Sequence, residues 1–457
     1  MNTPKDSITF VPRQKRSADL HDVPVLIVVG SIDALALQAE ERVIPFVQRI
    51  FIGRREKTDS GEGGVSWLVR DRMISGQHAS IMRAGSGFEL TDLGSTNGTI
   101  VDGVVAQPRA ALRDGALIFI GGHVAVFRVI SSTELAAIRA ELERPLGPVP
   151  TVNPAFAPVC AKLRKLAESD SEVLLTGETG AGKEVYARAM HETSGRKGRF
   201  VAVNCAAIPR ELVESELFGY VRGAHSQALA PKTGIIEDAE GGTLFLDEIG
   251  DMAPELQTKL LRFTQDRLLI PVGGTRARRI DARILAATSR TAPPTQSGGS
   301  GLRADLAARL GAEAIRIPPL RDRIEDIGSL VSYMLGRGGR RLELAAFQAL
   351  CLYTWPGNVR ELGKVVASAE ALSRGAERIG AEHLPVAIAS TPRRVRASPS
   401  GRASRPPPTA LELEQLMRRF NGNMLRVARE LERKPALVYR WAKRFKLNAD
   451  DYRKKDE

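Results

Sequence analysis

The stretch Gly177-Glu-Thr-Gly-Ala-Gly-Lys183-Glu184 constrains this chain more than any other. It follows an apolar run, EVLLT, and precedes a segment of helical character from Glu184 to His191. Glycines in such a turn let successive backbone N–H groups converge on one point, where the start of the helix adds partial positive charge. Strand, glycine turn and helix in that order predict a phosphate-binding loop, with Lys183 reaching the β- and γ-phosphates of ATP. Gly177, Glu178, Thr179, Gly180, Ala181, Gly182, Lys183 and Glu184 are the candidate nucleotide-binding residues. Glu184 occupies the place of the usual Ser or Thr, so no hydroxyl stands there to meet Mg2+. The plainer alternative is a structural glycine-rich turn.

The surroundings favour the nucleotide. FVAVNC, GTLFLDE and ARILAATS are short apolar runs alternating with helical segments from about residue 151 to 388, the pattern of a parallel sheet covered on both faces. That predicts an α/β domain. The run Gly242–Leu246 ends in Asp247 and Glu248. Beside a phosphate loop, Asp247 would hold Mg2+ and Glu248 would orient or deprotonate the attacking water.

Residues 24–130 read differently. VPVLIVV, RIFIGR, SWLVRD, HASIMR, FELTD, ALIFI and VAVFRVI are short strands separated by Gly, Ser, Asp and Asn turns, which predicts an all-β sandwich. A helical linker is expected over 131–150, and a Pro-, Arg- and Ser-rich flexible linker over 389–408. After residue 390 there are 18 Lys and Arg against 8 Asp and Glu, so ten of the thirteen net positive charges lie in the last 67 residues. A basic end on a near-neutral body points to double-stranded DNA, with a solvated basic tail as the alternative. Helices are expected over residues 410–420, 425–431 and 436–445, an all-α unit spanning 409–457. Lys434, Tyr439, Arg440, Lys443 and Arg444 would face DNA.

Three cysteines, Cys160, Cys205 and Cys351, are odd in number and far apart, which argues against a disulfide framework or a CxxC metal site and for a reducing cytoplasm. The longest clean apolar run, Val23 to Val29, is too short to span a membrane. The opening MNTPKDSITF has no secretory pattern, so a cytoplasmic location is expected.

GETGAGKE, FVAVNCAAIP, ESELFGYVRGA, GGTLFLDEIGDM, LQTKLLRF, RIPPLRDRIEDI and WPGNVREL together resemble the AAA+ domain of sigma-54-dependent bacterial enhancer-binding proteins, over nearly all of residues 151–385. The resemblance implies ATPase activity in a homo-oligomer, from dimer to hexameric ring, and RNA polymerase with sigma-54 as partner. It implies that Asn204 switches the catalytic Glu248, that Arg303 and Arg309 are fingers reaching a neighbour's γ-phosphate, and that Arg360 is a sensor on the helical lid. Gly53-Arg54, Ser75-Gly-Gln-His78 and Asp92-Leu-Gly-Ser-Thr96-Asn97-Gly98 resemble the signature of a forkhead-associated (FHA) domain. Arg54, Ser75, Thr96 and Asn97 would then bind a phosphothreonine protein made by a Ser/Thr kinase. The basic end resembles a Fis-type helix-turn-helix, with Glu432-Arg433 in place of the usual turn glycine.

Two places depart from the family. The sigma-contact loop, GAFTGA in relatives, reads Gly223-Ala224-His225-Ser226-Gln227-Ala228, and the polar sensor AATN reads Ala286-Ala287-Thr288-Ser289. The expectation is therefore a DNA-binding regulator that uses ATP and senses phosphothreonine, and that works without sigma-54. The alternatives are a true sigma-54 activator and a phosphopeptide-binding scaffold with a vestigial ATPase.

Overall fold

The computed structural model describes residues 22–55, 64–224, 228–289, 301–311, 314–336 and 338–390, with 408–420, 423–431, 438–439, 441–442, 445 and 447–452 in a separate C-terminal unit. Most of the expected linker, and site candidates His225, Ser226, Gln227, Lys434, Arg440, Lys443 and Arg444, lie outside the described residues.

The N-terminal region is a sandwich of a six-stranded and a five-stranded sheet. Its longest pairing joins Asp22–Ser31 antiparallel to His123–Ser131. Successive side chains on a strand point to opposite faces. Leu26 and Val28, with Ala125 and Phe127, enter the core between the sheets. Val25 and Ile27 point the other way, onto Leu135 and Ile138 of the helix Ser132–Glu143. Val29, Val124 and Val126 also leave the sandwich core and join an apolar cluster with Ile327, Val331 and Phe347. The outer face of this sheet is therefore buried, which is why LIVV is continuously apolar rather than alternating.

The linker helix starts at a capping box, in which the Ser131 hydroxyl accepts from Glu134 N–H while the Glu134 carboxylate accepts from Ser131 N–H. A five-stranded sheet follows, in the order Phe200–Asn204, Thr243–Asp247, Arg283–Thr288, Val173–Thr176, Ile315–Arg316, all parallel. Each face is covered by its own apolar cluster, one built on Leu244, Leu246 and Ile284, the other on Leu175, Phe245 and Leu285. The fold is thus α/β, with a helical lid that includes Ile327–Leu335, Leu344–Leu352 and Asn358–Leu372.

Sandwich and lid meet closely. A Cβ on Gly328 of the first lid helix would lie 2.1 Å from the Val29 carbonyl oxygen, so only glycine permits this approach. Polar groups line the same seam. Arg128 pairs with the fully buried Glu325, Arg42 donates to the Glu325 carbonyl at 3.4 Å, and Asp326 accepts from Thr151 Oγ1 and Val152 N–H.

In the C-terminal unit, Thr409 caps the helix Ala410–Arg419 with Glu412 in a second capping box. The Asn423 side chain accepts from Arg426 N–H at the start of Met424–Glu430. Leu413, Met417, Val427, Ala428, Val438 and Ala442 form its core, and Tyr439 is exposed. No helix among the described residues is long and apolar enough to cross a membrane.

Candidate nucleotide and phosphopeptide sites

The glycine turn lies where the sequence pattern requires. Gly182 is left-handed (φ 102°), and the helix Lys183–Ser194 begins directly after it. Helix geometry leaves its first amides without intrahelical partners, and they face a cleft of about 440 Å³. Thr179, Gly180, Gly182, Lys183, Glu184, Asn204, Asp247, Glu248, Ser289 and Arg360 line that cleft. A Cβ on Gly180 (φ 78°) would strike the Gly357 carbonyl at 2.5 Å, so lid and phosphate loop touch through a bare backbone. Gly177 donates to the Thr288 carbonyl, and Ala181 is buried behind the loop.

Lys183 Nζ donates to the Gly177 carbonyl at 2.9 Å and stands 3.5 Å from Glu248 Oε1. Asp247 ends the strand beside it, with Oδ1 accepting from Glu248 N–H. Burial raises the Asp247 carboxyl above its ordinary value, and the Lys183 ammonium pulls it partly back. Glu248 itself has φ 54°, uncommon for a residue with a side chain. Its Oε2 accepts from both the backbone N–H and the hydroxyl of Ser289, each at 2.8 Å. Asn204 is in register with Asp247, but its Oδ1 accepts from Ala206 N–H, and no hydrogen bond joins it to Glu248 among the described residues.

A latch that the sequence pattern did not reveal joins loop to lid. Arg321 pairs with Glu178 through two hydrogen bonds of 2.8 and 2.5 Å, and Asn358 Nδ2 donates to Glu178 Oε2 and to the Thr179 carbonyl. The Arg321 hydrogen bonds hold the Glu178 carboxyl down at about 2. Buried Arg323 donates to the Ala181 carbonyl at 2.6 Å. The signal was present in RIPPLRDR and WPGN, but nothing in the spacing says which loop they meet.

Arg303 and Arg309 stand away from this cleft. Arg303 is paired with Asp305 on an exposed surface, and Arg309 donates to the Thr264 carbonyl, with its Nε 3.9 Å from Glu172. Of the expected sigma-contact loop, Gly223 and Ala228 are joined by a Gly223 N–H to Ala228 carbonyl bond of 2.8 Å, with Ala224 beside Gly273. The three altered positions, 225–227, lie outside the described residues.

On the sandwich, Arg54, Ser75, Thr96 and Asn97 come together from three turns. Arg54 N–H donates to the Ser75 carbonyl, Ser75 Oγ accepts from Thr96 N–H at 3.1 Å, and Asn97 Nδ2 donates to the Met73 carbonyl at 2.7 Å. The Arg54 guanidinium is exposed. Beneath them, fully buried His78 accepts at Nδ1 from Ser75 N–H and contacts the Gly98 carbonyl through Nε2, tying two of the turns together.

Comparison with known proteins now decides the family. Residues 150–316 match the sigma-54 interaction domain, 50–121 the FHA domain and 321–400 the AAA+ ATPase lid domain. Transcriptional regulatory protein GlrR of Escherichia coli is 34% identical over 414 residues, covering 87% of this chain and 89% of that protein. The chain belongs to the family of transcriptional regulators built on the sigma-54 interaction domain. NtrC of Rhizobium meliloti, a DNA-binding transcriptional regulator, is 47% identical over 218 residues, covering 46% of this chain and 45% of its own. A Geobacillus stearothermophilus protein named limonene hydroxylase is 46% identical over 252 residues, 53% of this chain and 46% of that one. This chain thus spans about half the length of several curated relatives it matches. Among solved structures, NtrX of Brucella abortus in complex with ADP is 32% identical, with TM-score 0.47, covering 64% of this chain and 68% of that one.

Proposed function

We propose that this regulator binds and hydrolyses ATP in the cleft between sheet and lid, reads a phosphothreonine protein through its FHA domain, and binds double-stranded DNA through its C-terminal unit. The observation that carries the ATP reading is the convergence of Lys183, Asp247, Glu248 and Arg360 on one cleft behind the glycine turn. Amides and Lys183 would take the phosphates, and Arg360 would approach them from the lid. Asp247 fits Mg2+: it is a half-buried carboxylate beside the phosphate site, and its Oδ2 has no protein partner among the described residues. Mg2+ supplies charge neutralisation at the phosphates when bound. Glu248 would accept a proton from the water that attacks the γ-phosphorus, while the bond to the β-phosphate oxygen breaks and ADP leaves with the electron pair.

Arg303 and Arg309, away from their own chain's cleft, suit fingers offered to a neighbouring copy, which makes hydrolysis depend on assembly into a homo-oligomeric ring. Asn204 stands on the cleft wall as a second polar group near Glu248. The exposed Arg54, with Ser75 and Thr96 beside it, suits a phosphate dianion, and Asn97 braces the turn that carries Ser75. Tyr439, Lys434, Arg440, Lys443 and Arg444 would contact DNA.

Residues 225–227 lack the Phe and Thr of the GAFTGA sequence, so we read the machine as working without sigma-54. The match to the sigma-54 interaction domain favours the second reading, a sigma-54 activator with an altered loop. Protein trapped with ADP–aluminium fluoride and mixed with labelled sigma-54 separates the two on a native gel. No shifted complex, with ATPase intact, is expected; a stable complex would replace the first reading with the second.

A further inference from the structure

We propose that the peptide read by the FHA turns is acidic around its phosphothreonine, and that Arg55, Arg70 and Arg72 bind the flanking anionic groups while Arg54 takes the phosphate. This rests on the phosphothreonine reading above and names the class of peptide it selects. The first observation is which guanidiniums the sandwich leaves unused. Residues 24–130 carry ten arginines, and six are engaged by the protein itself. Arg42 and Arg128 bond to Glu325, Arg49 and Arg83 lie over the rings of Phe51 and Phe88, and Arg109 and Arg113 pair with Glu89 and Asp102. The other four, Arg54, Arg55, Arg70 and Arg72, are exposed, and their guanidiniums make no ion pair or hydrogen bond among the described residues.

The second observation is that backbone hydrogen bonds gather these four at one end of the sandwich. The strands Arg49–Gly53 and Gly64–Leu68 run parallel and end level, with Gly53 opposite Leu68. Val69 N–H then donates to the Gly53 carbonyl at 2.9 Å, and Arg54 and Arg55 N–H donate to the Ser75 and Gly76 carbonyls, each at 3.1 Å. Arg70 therefore leaves the sheet beside Arg54. Arg72 sits in the turn 71–74, whose Met73 carbonyl is held by Asn97. The stem of Arg55 lies on Gly76, where a Cβ would be 3.5 Å from its Cδ. Each of the three thus borders a residue or turn already placed in the phosphothreonine site.

The carboxylates of the same turns do not neutralise this cluster. Asp71 and Asp92 are the acidic residues within 53–55, 68–78 and 92–98. Asp71 accepts from Met73 and Gly122 N–H. Asp92 accepts from the N–H groups of Gly94 and Ser95 and from the hydroxyls of Ser95 and Thr99. Both are taken up in fixing turn geometry. An extended peptide advances about 3.3 Å per residue, so side chains within about three residues of the phosphothreonine pass over the neighbouring turns. Carboxylates or a second phosphate there would meet guanidinium forks, which suit both groups. Basic flanks would be repelled, so the cluster rejects the wrong peptide as well as holding the right one.

The test is fluorescence anisotropy on the full-length protein with short Ala–Ser–Gly peptides centred on phosphothreonine. One has neutral flanks, one has Asp and Glu flanks, one carries a second phosphothreonine nearby, and each has its threonine counterpart. Wild type should bind both anionic forms about tenfold tighter than the neutral one, a ratio that shrinks as salt rises. In the triple variant Arg55→Ala/Arg70→Ala/Arg72→Ala the ratio should fall to about twofold or less, with the neutral phosphopeptide still bound. The charge-matched variant Arg83→Ala/Arg139→Ala/Arg144→Ala removes three guanidiniums from the far strand end and the linker helix, and should keep the ratio. A larger gain from the second phosphate assigns the cluster to a multiply phosphorylated partner, and a larger gain from Asp and Glu to an acidic segment phosphorylated once; either supports the proposal. Provided phosphothreonine peptides outbind their threonine counterparts, three results each overturn it and leave the phosphothreonine reading intact. They are equal affinity of wild type for neutral and anionic flanks, a ratio retained in the triple variant, or a ratio lost equally in the charge-matched variant. A wild type that binds no phosphothreonine peptide better than its threonine counterpart overturns the reading itself and this proposal with it.

Discussion

Arg128, on the last strand of the sandwich, donates from Nε to Glu325 Oε1 at 2.6 Å, on the segment that leads into the first lid helix. Glu325 is fully buried, and its second oxygen accepts from Asn153 Nδ2 at 2.9 Å. Sandwich, α/β domain and lid thus share one carboxylate, and the FHA domain is a wall of the lid's core rather than a bead on a tether. Two buried neighbours extend the seam inward: Asp326 holds residues 151–152, and Arg323 holds the phosphate loop at Ala181.

Removing Arg128 would leave a buried carboxylate with one neutral donor. Such losses cost about 3–5 kcal/mol in fully buried pairs. Arg128 keeps part of its side chain in solvent, so Arg128→Ala should fall at or below the lower end of that range in urea unfolding. Adding Glu325→Gln should recover part of the loss, because the uncompensated charge disappears. Equal stability of wild type and Arg128→Ala would mean the pair carries no weight.

Two lid glycines give opposite expectations. Gly328→Ala places a methyl 2.1 Å from the Val29 carbonyl oxygen, a backbone atom that cannot swing aside. It should lower the melting temperature and expose the sandwich–lid boundary to limited proteolysis. Gly363, inside the helix Asn358–Leu372, has nothing closer than Met334 Cε at 3.7 Å. Gly363→Ala should be neutral or stabilising by up to about 1 kcal/mol from helix propensity.

The Glu178–Arg321 latch sets a pH window. The folded carboxyl sits at about 2 against an ordinary 4.5, chiefly through Arg321's hydrogen bonds. A depressed acid contributes stability that is fully present above its unfolded value and is lost as pH falls through the folded value. The stability difference between wild type and Arg321→Ala should therefore be constant from pH 7 to 5 and shrink between about 4.5 and 2. Both side chains are more than a third exposed, so the difference should be small and weaken in high salt. A difference that grows as pH falls would contradict the assignment.

Arg54 and Asn97 should fail differently in phosphopeptide binding. Arg54 is exposed and its guanidinium makes no ion pair among the described residues, so Arg54→Ala should abolish the preference for a phosphothreonine over a threonine peptide at unchanged melting temperature. Asn97 Nδ2 ties its turn to the Met73 carbonyl, so Asn97→Ala should weaken peptide binding and also loosen the sandwich. Fluorescence anisotropy with the two peptides, beside thermal melts, separates these outcomes.

Much of this protein could be read from local pattern. The phosphate loop, the carboxylates at the end of GTLFLD and the turns carrying Arg54, Ser75 and Asn97 are each set by a few neighbouring residues. Their chemistry follows from glycine conformation, strand alternation and side-chain type, which the sequence states directly. The extra burial of VPVLIVV was also written there, as a continuous apolar run, but not the identity of what covers it.

That identity is a tertiary fact. Arg128 and Glu325 lie 197 residues apart, and Gly328 meets Val29 across nearly 300. No periodicity links such positions; they meet because the sandwich's second face and the lid's apolar face each bury the other. The same holds in the cleft. Local order pointed Lys183, Asp247 and Glu248 to one site, but which polar neighbour bonds Glu248 was decided by strand order. That order sets the end of Arg283–Thr288, and so Ser289, between the other two strands, while Asn204 turns to cap its own loop.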